Sequence, residues 1–372
     1  MQQVNSAISA GTWPVPPGPA LFSWGRNNEG QLGLGNTTSL SSPNQIGSLT
    51  TWLNISAGFY ASFAIKADGT LWSWGYNTYG YLGLGNTTNY SSPKQVGALT
   101  NWSQISAGNY QCAAIKTDGT LWTWGYNATY GALGLGNTTN YSSPKQVGAL
   151  TTWSQVSSGN YRTLAITTSG SLYSWGYGSS GALGLGNTTN YSSPKQIGSL
   201  TNWASVSSSK FGSFALAVKT DGTLWFWGQG GVGQSGLGNL TYYSSPKQIG
   251  ALTNWSGVAA ANAHSVSYKT NGTLWAWGQG SQGQLGLGNL TNYSSPKQIG
   301  ALTTWSKISA SAFSTFSIKT DGTLWVWGLN DTGQLGLGNT TYAFSTPQQL
   351  GSLSTWTNVA SGNSYALTIK TT

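Results

Sequence analysis

"WSWGYNTYGYLGLGNTTNYSSPKQVGALTNW" (residues 72–102) returns almost word for word as "WTWGYNATYGALGLGNTTNYSSPKQVGALTTW" (122–153) and as "WAWGQGSQGQLGLGNLTNYSSPKQIGALTTW" (275–305). Its register mark, Trp-Gly, falls at Trp24, Trp74, Trp124, Trp175, Trp227, Trp277 and Trp327, in steps of 50, 50, 51, 52, 50 and 50. Seven copies of this period point to a ring or a solenoid of stacked units sharing one core. Within a period, "FAIKADG" (63–69) runs through an Asp-Gly turn into "TLWSWG" (70–75), and "WLNISAG" (52–58) and "PKQVG" (93–97) supply two more short strands. "GLGLGN" and the polar run after it read as loop and as tight backbone packing between units. Four strands per repeat and no helical period describe the blade of a propeller.

The chain begins its first repeat midway, at "ALFSWG" (20–25), and ends midway through the last, at "ALTIKTT" (366–372). Put together in space, the two ends rebuild one "AIKADGTLWSWG" hairpin. An open solenoid has no use for such a split, whereas a ring is sealed by it and loses its open edge. The expectation is therefore an all-β, seven-bladed β-propeller over residues 20–372, closed by pairing of the N- and C-terminal strands. Residues 1–19 read as an extended proline-rich arm, with Trp13, Pro14, Pro16 and Pro17 as its attachment element.

The run "GFYASFAIKADGTLWSWGYNTYGYLGLG" (58–85) resembles the regulator of chromosome condensation repeat, and the resemblance spans nearly all of residues 20–372. It implies a seven-bladed propeller and, by analogy with the family's nuclear exchange factor, action on a small GTPase or chromatin. Two departures bear on that analogy. The family often carries His three residues after a blade's first Gly; here the position reads Ala61, Gln111 and Arg162, and only His264 keeps the imidazole. The repeats are also uniform in length, without the long insertion that factor uses as a wedge. A propeller inhibitor of beta-lactamases shares the repeat and implies a third role, enzyme inhibition.

Composition narrows the function classes. Of 372 residues only 6% are charged; six acids face fifteen Lys and Arg, for a net charge of +9. No run of basic residues marks a specific nucleic-acid site, and no apolar stretch is long enough for a membrane-spanning helix. The N-terminus lacks the basic and apolar regions of a secretory signal. One cysteine, Cys112, excludes an intrachain disulfide and a cysteine-built zinc site. Asp68, Asp118, Asp221 and Asp321 all precede Gly and read as turn formers. That leaves Glu29 and Asp331, which ring closure brings to neighbouring blades, as the only carboxylates for catalysis or metal binding. Neither they nor the lone His264 assemble a catalytic set, so no enzyme activity and no cofactor are expected.

The repeat loop "NTTNYSSPKQ" places Tyr90, Tyr141, Tyr191, Tyr243 and Tyr293 at equivalent sites, with Lys94, Lys145, Lys195, Lys247 and Lys297 four residues later. Blade symmetry arrays them as rings of aromatics and cations, a repeated surface for a glycan or an acidic protein patch. The Asn-Thr-Thr sequons at Asn36, Asn86, Asn137, Asn187 and Asn339 matter only in a eukaryotic secretory setting. The expected function is non-enzymatic binding or display on a virion or extracellular surface, in a larger assembly joined through the arm.

Overall fold

The computed structural model describes residues 18–48 and 50–371. Trp13, Pro14, Pro16 and Pro17 lie outside the described residues. Aromatic and β-branched residues alternate with small ones through each repeat, and these runs form seven four-stranded antiparallel sheets. In blade 2 the strands, lettered a to d from the axis outward, are Trp52–Ala57, Ala61–Lys66, Leu71–Gly75 and Tyr90–Gln95. Blades 3 to 7 repeat this order from Trp102, Trp153, Trp203, Trp255 and Trp305. The seven innermost strands pack each against the next in a closed cycle, which proves the ring.

Blade 1 is built from both ends of the chain. Trp356–Ser361 and Tyr365–Lys370 are its a and b strands, and Ala20–Gly25 and Leu40–Gln45 its c and d strands. Ala20 to Gly25 pair without a break against Lys370 to Tyr365. Closure is as the split hairpin predicts. The outermost strand, however, starts three residues earlier than "PKQVG" implied, at Tyr90 in blade 2. Its residues are nearly all polar and half-buried or exposed, so no apolar alternation announces it. Pro93 is tolerated there because the strand is an edge.

The glycine-rich run locks blade to blade. A Cβ at Gly33 (φ +73°) would sit 2.7 Å from the indole nitrogen of Trp74 in the next blade, and the same approach recurs from Gly83 to Trp124 and, across the closure, from Gly336 to Trp24. The Trp74 indole N–H donates to the Gln31 carbonyl at 2.9 Å, and Trp24 to that of Gln334 at 2.9 Å. Each Trp-Gly tryptophan is fully buried, so both halves of the motif serve one interface.

The first residue of strand b ties blades a second time. Gln111 donates to the Gly159 and Arg162 carbonyls of blade 4. Tyr365 donates its hydroxyl to the Ala61 carbonyl of blade 2 at 2.7 Å. His264 Nε2 meets Thr315 Oγ1 at 3.0 Å, and Thr315 spends its one hydroxyl proton on the Gln284 carbonyl. Nε2 is therefore the protonated nitrogen of a neutral ring. Complete burial pushes His264 down to about 3. The unfolded chain takes up this proton near pH 6.5 and the folded chain only near 3. Stability is thus retained above pH 6.5 and lost as pH falls through that window, at about 1.4 kcal/mol per unit. His264→Gln, which mimics Gln111, is expected to flatten the fall in urea midpoint between pH 6.5 and 4; parallel profiles for the two proteins would refute the assignment.

Candidate binding face

Two faces and a perimeter are available. The b–c turns lie on one face. There Asp68 Oδ1 accepts from the backbone N–H and hydroxyl of Thr70, and Trp72 donates to that hydroxyl oxygen. These bonds hold Asp68 below its usual range, as they do Asp118, Asp221 and Asp321 in their own turns. Lys66 lies between two tryptophans, with Nζ 3.7 Å from the Trp72 ring centre and 5.1 Å from that of Trp52. Lys116, Lys219, Lys269 and Lys319 repeat the sandwich, and burial lowers all five. A third of the fifteen basic residues therefore stabilise blades rather than contact partners.

Glu29 and Asp331 do not share a site. Glu29 accepts from Asn89 of blade 2, and the adjoining Gly30 packs on Ser91. Asp331 accepts from Gln334 in its own loop, and Gly333 packs on Ser41 of blade 1. The two carboxylates serve different blade junctions. No group of three or more His, Cys, Asp or Glu that could hold a metal ion occurs among the described residues.

At the perimeter, the tyrosine and lysine rings sit on the outermost strands. Each tyrosine is half-buried and each lysine exposed. Lys94, Lys145, Lys195, Lys247 and Lys297 hold Nζ 5.5–5.9 Å over the rings of Tyr90, Tyr141, Tyr191, Tyr243 and Tyr293. The tyrosine hydroxyls accept from Asn86, Asn137, Asn187, Asn239 and Asn289. Both members of each pair already have a partner in their own blade.

The other face, carrying the a–b turns and c–d loops, holds residues that the sequence reading passed over. Tyr60, Tyr110 and Tyr161 occupy one position of the a–b turn in blades 2 to 4, and Tyr76, Tyr126 and Tyr177 directly follow Trp-Gly in the same blades. Their rings form a continuous arc. Tyr76 lies 5.9 Å from Tyr110, Tyr79 bridges Tyr110 and Tyr126, and Tyr130 bridges Tyr161 and Tyr177. The rings are half-buried, apart from the more exposed Tyr79. Crowding pushes the Tyr110 phenol up to about 12, burial first and neighbouring phenols second. Arg26 caps one end, 5.2 Å over Tyr60.

The arc leads to a plug at the axis. Between strands a and b, blade 5 has two more residues than blade 4: five separate Ser208 from Phe214, where three separate Ser158 from Arg162. The longer turn carries Lys210 across the ring, where it donates to the Ala57 carbonyl of blade 2 at 2.7 Å and the Ser361 carbonyl of blade 1 at 3.3 Å. Phe211 meets Phe59 of blade 2 at 5.6 Å. Burial lowers the Lys210 ammonium to about 8. The fully buried Arg162 holds the turn from behind, donating to Ser208 Oγ and to the carbonyls of Ser209, Gly212 and Phe214.

An RCC1-like domain model matches residues 18–213, and the regulator of chromosome condensation (RCC1) repeat matches 221–268, 271–318 and 321–369. The chain belongs to the RCC1 repeat family. Among solved structures, it resembles Prp20p of Saccharomyces cerevisiae, a protein described with its binding to Gsp1p and histones, at 18% identity over 96% of this chain and 92% of that one, TM-score 0.84. Human WBSCR16 is similar at 21% identity over 95% and 99%, TM-score 0.83. At these identities the likeness is one of fold. No curated protein matches.

Within this RCC1-like ring the arc and plug had a sequence signal. The two steps longer than 50 in the Trp-Gly spacing fall at the extra c–d residue of blade 3, beside Thr129 (φ +87°), and at the Lys210 turn. Three successive Trp-Gly-Tyr runs give way to Trp-Gly-Gln at Gln229 and Gln279. In a ring of near-uniform repeats, the irregular positions carry the information.

Proposed function

We propose that this RCC1-like propeller is a non-enzymatic binding module that holds its partner on the a–b/c–d face. One observation carries the reading: a half-exposed arc of tyrosines on that face, most of whose hydroxyls have no partner among the described residues. The described chain leaves the fold on the opposite face, since Ala20 starts a c strand and Lys370 ends a b strand. A propeller tethered by its ends would turn the arc outward. Such display suits a virion or extracellular surface, with the proline-rich arm as the tether. The exchange-factor and inhibitor readings draw support from the family alone; uniform repeats without a wedge argue against the first.

A second reading places an anionic partner on the perimeter. The five exposed lysines favour it through many weak, salt-sensitive contacts. Capture of the partner from the native source separates the two readings. Tyr76→Gln/Tyr126→Gln/Tyr177→Gln is expected to abolish capture, while Tyr141→Ser/Tyr191→Ser/Tyr243→Ser leaves it intact. The reverse pattern would move the site to the perimeter, and retention by both variants would remove it from either.

A further inference from the structure

The arc's chemistry narrows the kind of molecule it accepts, an inference that rests on the binding-module reading above. Buried tyrosines elsewhere in the ring satisfy their hydroxyls: Tyr81 donates to the Gly108 carbonyl at 2.6 Å and Tyr365 to that of Ala61. The perimeter tyrosines accept from asparagines. In the arc, among the described residues, only Tyr126 has a hydroxyl contact, with Thr129 at 3.4 Å. The hydroxyls of Tyr60, Tyr76, Tyr110, Tyr161 and Tyr177 have none. A half-buried ring with a free phenol offers an apolar face and a polar tip together.

Charge narrows the choice further. Among the described residues no carboxylate contacts the arc's rings: Glu29, on the Arg26 loop, is bonded to Asn89, and Lys210 is committed to two carbonyls. Arg26, at one end, is the arc's single cation. A strongly acidic or basic polymer has nothing to pair with along its length. The arc is a strip two rings wide, an inner row from the a–b turns and an outer row from the c–d loops, and it curves over blades 2 to 4. A linear chain fits that strip better than a globular protein surface would.

We propose that the arc is a binding site for a neutral polysaccharide. The C–H faces of successive pyranose rings would stack on the tyrosines, and their hydroxyls would exchange hydrogen bonds with the free phenols. The ring itself supplies compatible replacements, because Gln229 and Gln279 occupy the position of Tyr76, Tyr126 and Tyr177 in blades 5 and 6.

The test is affinity electrophoresis of the full chain in gels containing hydroxyethylcellulose, glucomannan, laminarin or anionic polygalacturonate. At least one neutral polymer is expected to retard the protein. Tyr76→Gln/Tyr126→Gln/Tyr177→Gln should weaken that retardation at least tenfold without lowering Tm. Should that variant fail to fold, Tyr110→Phe/Tyr161→Phe/Tyr177→Phe keeps the rings and removes the hydroxyls; a threefold or greater loss supports the proposal and no change overturns it. Equal retardation of wild type and the glutamine variant overturns the placement on the arc. Retardation by polygalacturonate alone, or by none of the four, overturns the ligand class. Partner capture that depends on the arc would then leave the binding-module reading standing, with a protein as the occupant.

Discussion

A chain ending at Tyr365 is expected to lose the closed ring. Residues 366–372 supply most of the second strand of blade 1, and Ala20–Gly25 would keep a partner only on its outer side. Leu367 and Ile369 are fully buried, and burial of such side chains contributes about 1.5–3 kcal/mol each. The lost strand also unpins Trp356–Ser361, whose only strand partner among the described residues it is. The combined loss is about 5 kcal/mol or more, and Tm should fall by roughly 10–20 °C. Newly exposed strand edges should drive association at concentrations where the full chain stays monodisperse. A truncated chain melting within about 3 °C of the full one would show that the terminal pairing does not hold the ring.

Arg162→Ala is expected to be strongly destabilising. It removes four hydrogen bonds in a site that excludes water. The Ser209 and Phe214 carbonyls keep the backbone N–H of Asn160 and Ser209, but the Gly212 carbonyl and the Ser208 hydroxyl oxygen lose their donor. A buried group left unsatisfied costs about 1–3 kcal/mol. With partial relaxation of the turn, a loss of about 4 kcal/mol is expected. Among the described residues no acid balances the guanidinium; carbonyl dipoles stand in for a counter-ion. Arg162→Gln should recover part of the loss, since Gln111 spans the preceding junction with two such bonds. Urea midpoints give the magnitudes. Hydrogen exchange over residues 209–214 should accelerate in the alanine variant, because Arg162 anchors the turn that carries the plug. An alanine variant as stable as wild type would mean that the turn holds itself.

The ring was legible in the sequence because it is written seven times and because the hairpin is cut at the termini. The turn aspartates were legible for a local reason: Asp, Gly and Thr lie within three residues of one another. The lysine sandwiches were not. Lys66 reads as an ordinary surface charge, and the tryptophans that enclose it stand 14 residues before it and six after, on different strands. The outermost strand was underestimated because a polar edge carries no apolar period. The axial plug left only a longer Trp-Gly step as its mark, and its contacts were out of reach. Lys210 and its acceptor Ala57 are 153 residues apart and meet only once the ring has closed. The tyrosine arc was half legible, since its residues stand beside the register mark, but repetition drew the eye to what recurs in all blades rather than to what three of them share.

The close glycine–indole approach recurs at every junction, including the one the termini complete. For the gene, this makes the repeats interchangeable parts. Unequal crossing-over between two near-identical units would excise or duplicate about 50 codons, and each new junction would still meet a matching glycine loop and indole. What such a recombinant would have to relearn is the angle between neighbours, because the cycle must still return to its start. Copy number is thus guarded by the geometry of closure rather than by the chemistry of any joint. Irregular inserts such as the Lys210 turn, which reaches two other blades at once, fix the order of the parts within the cycle.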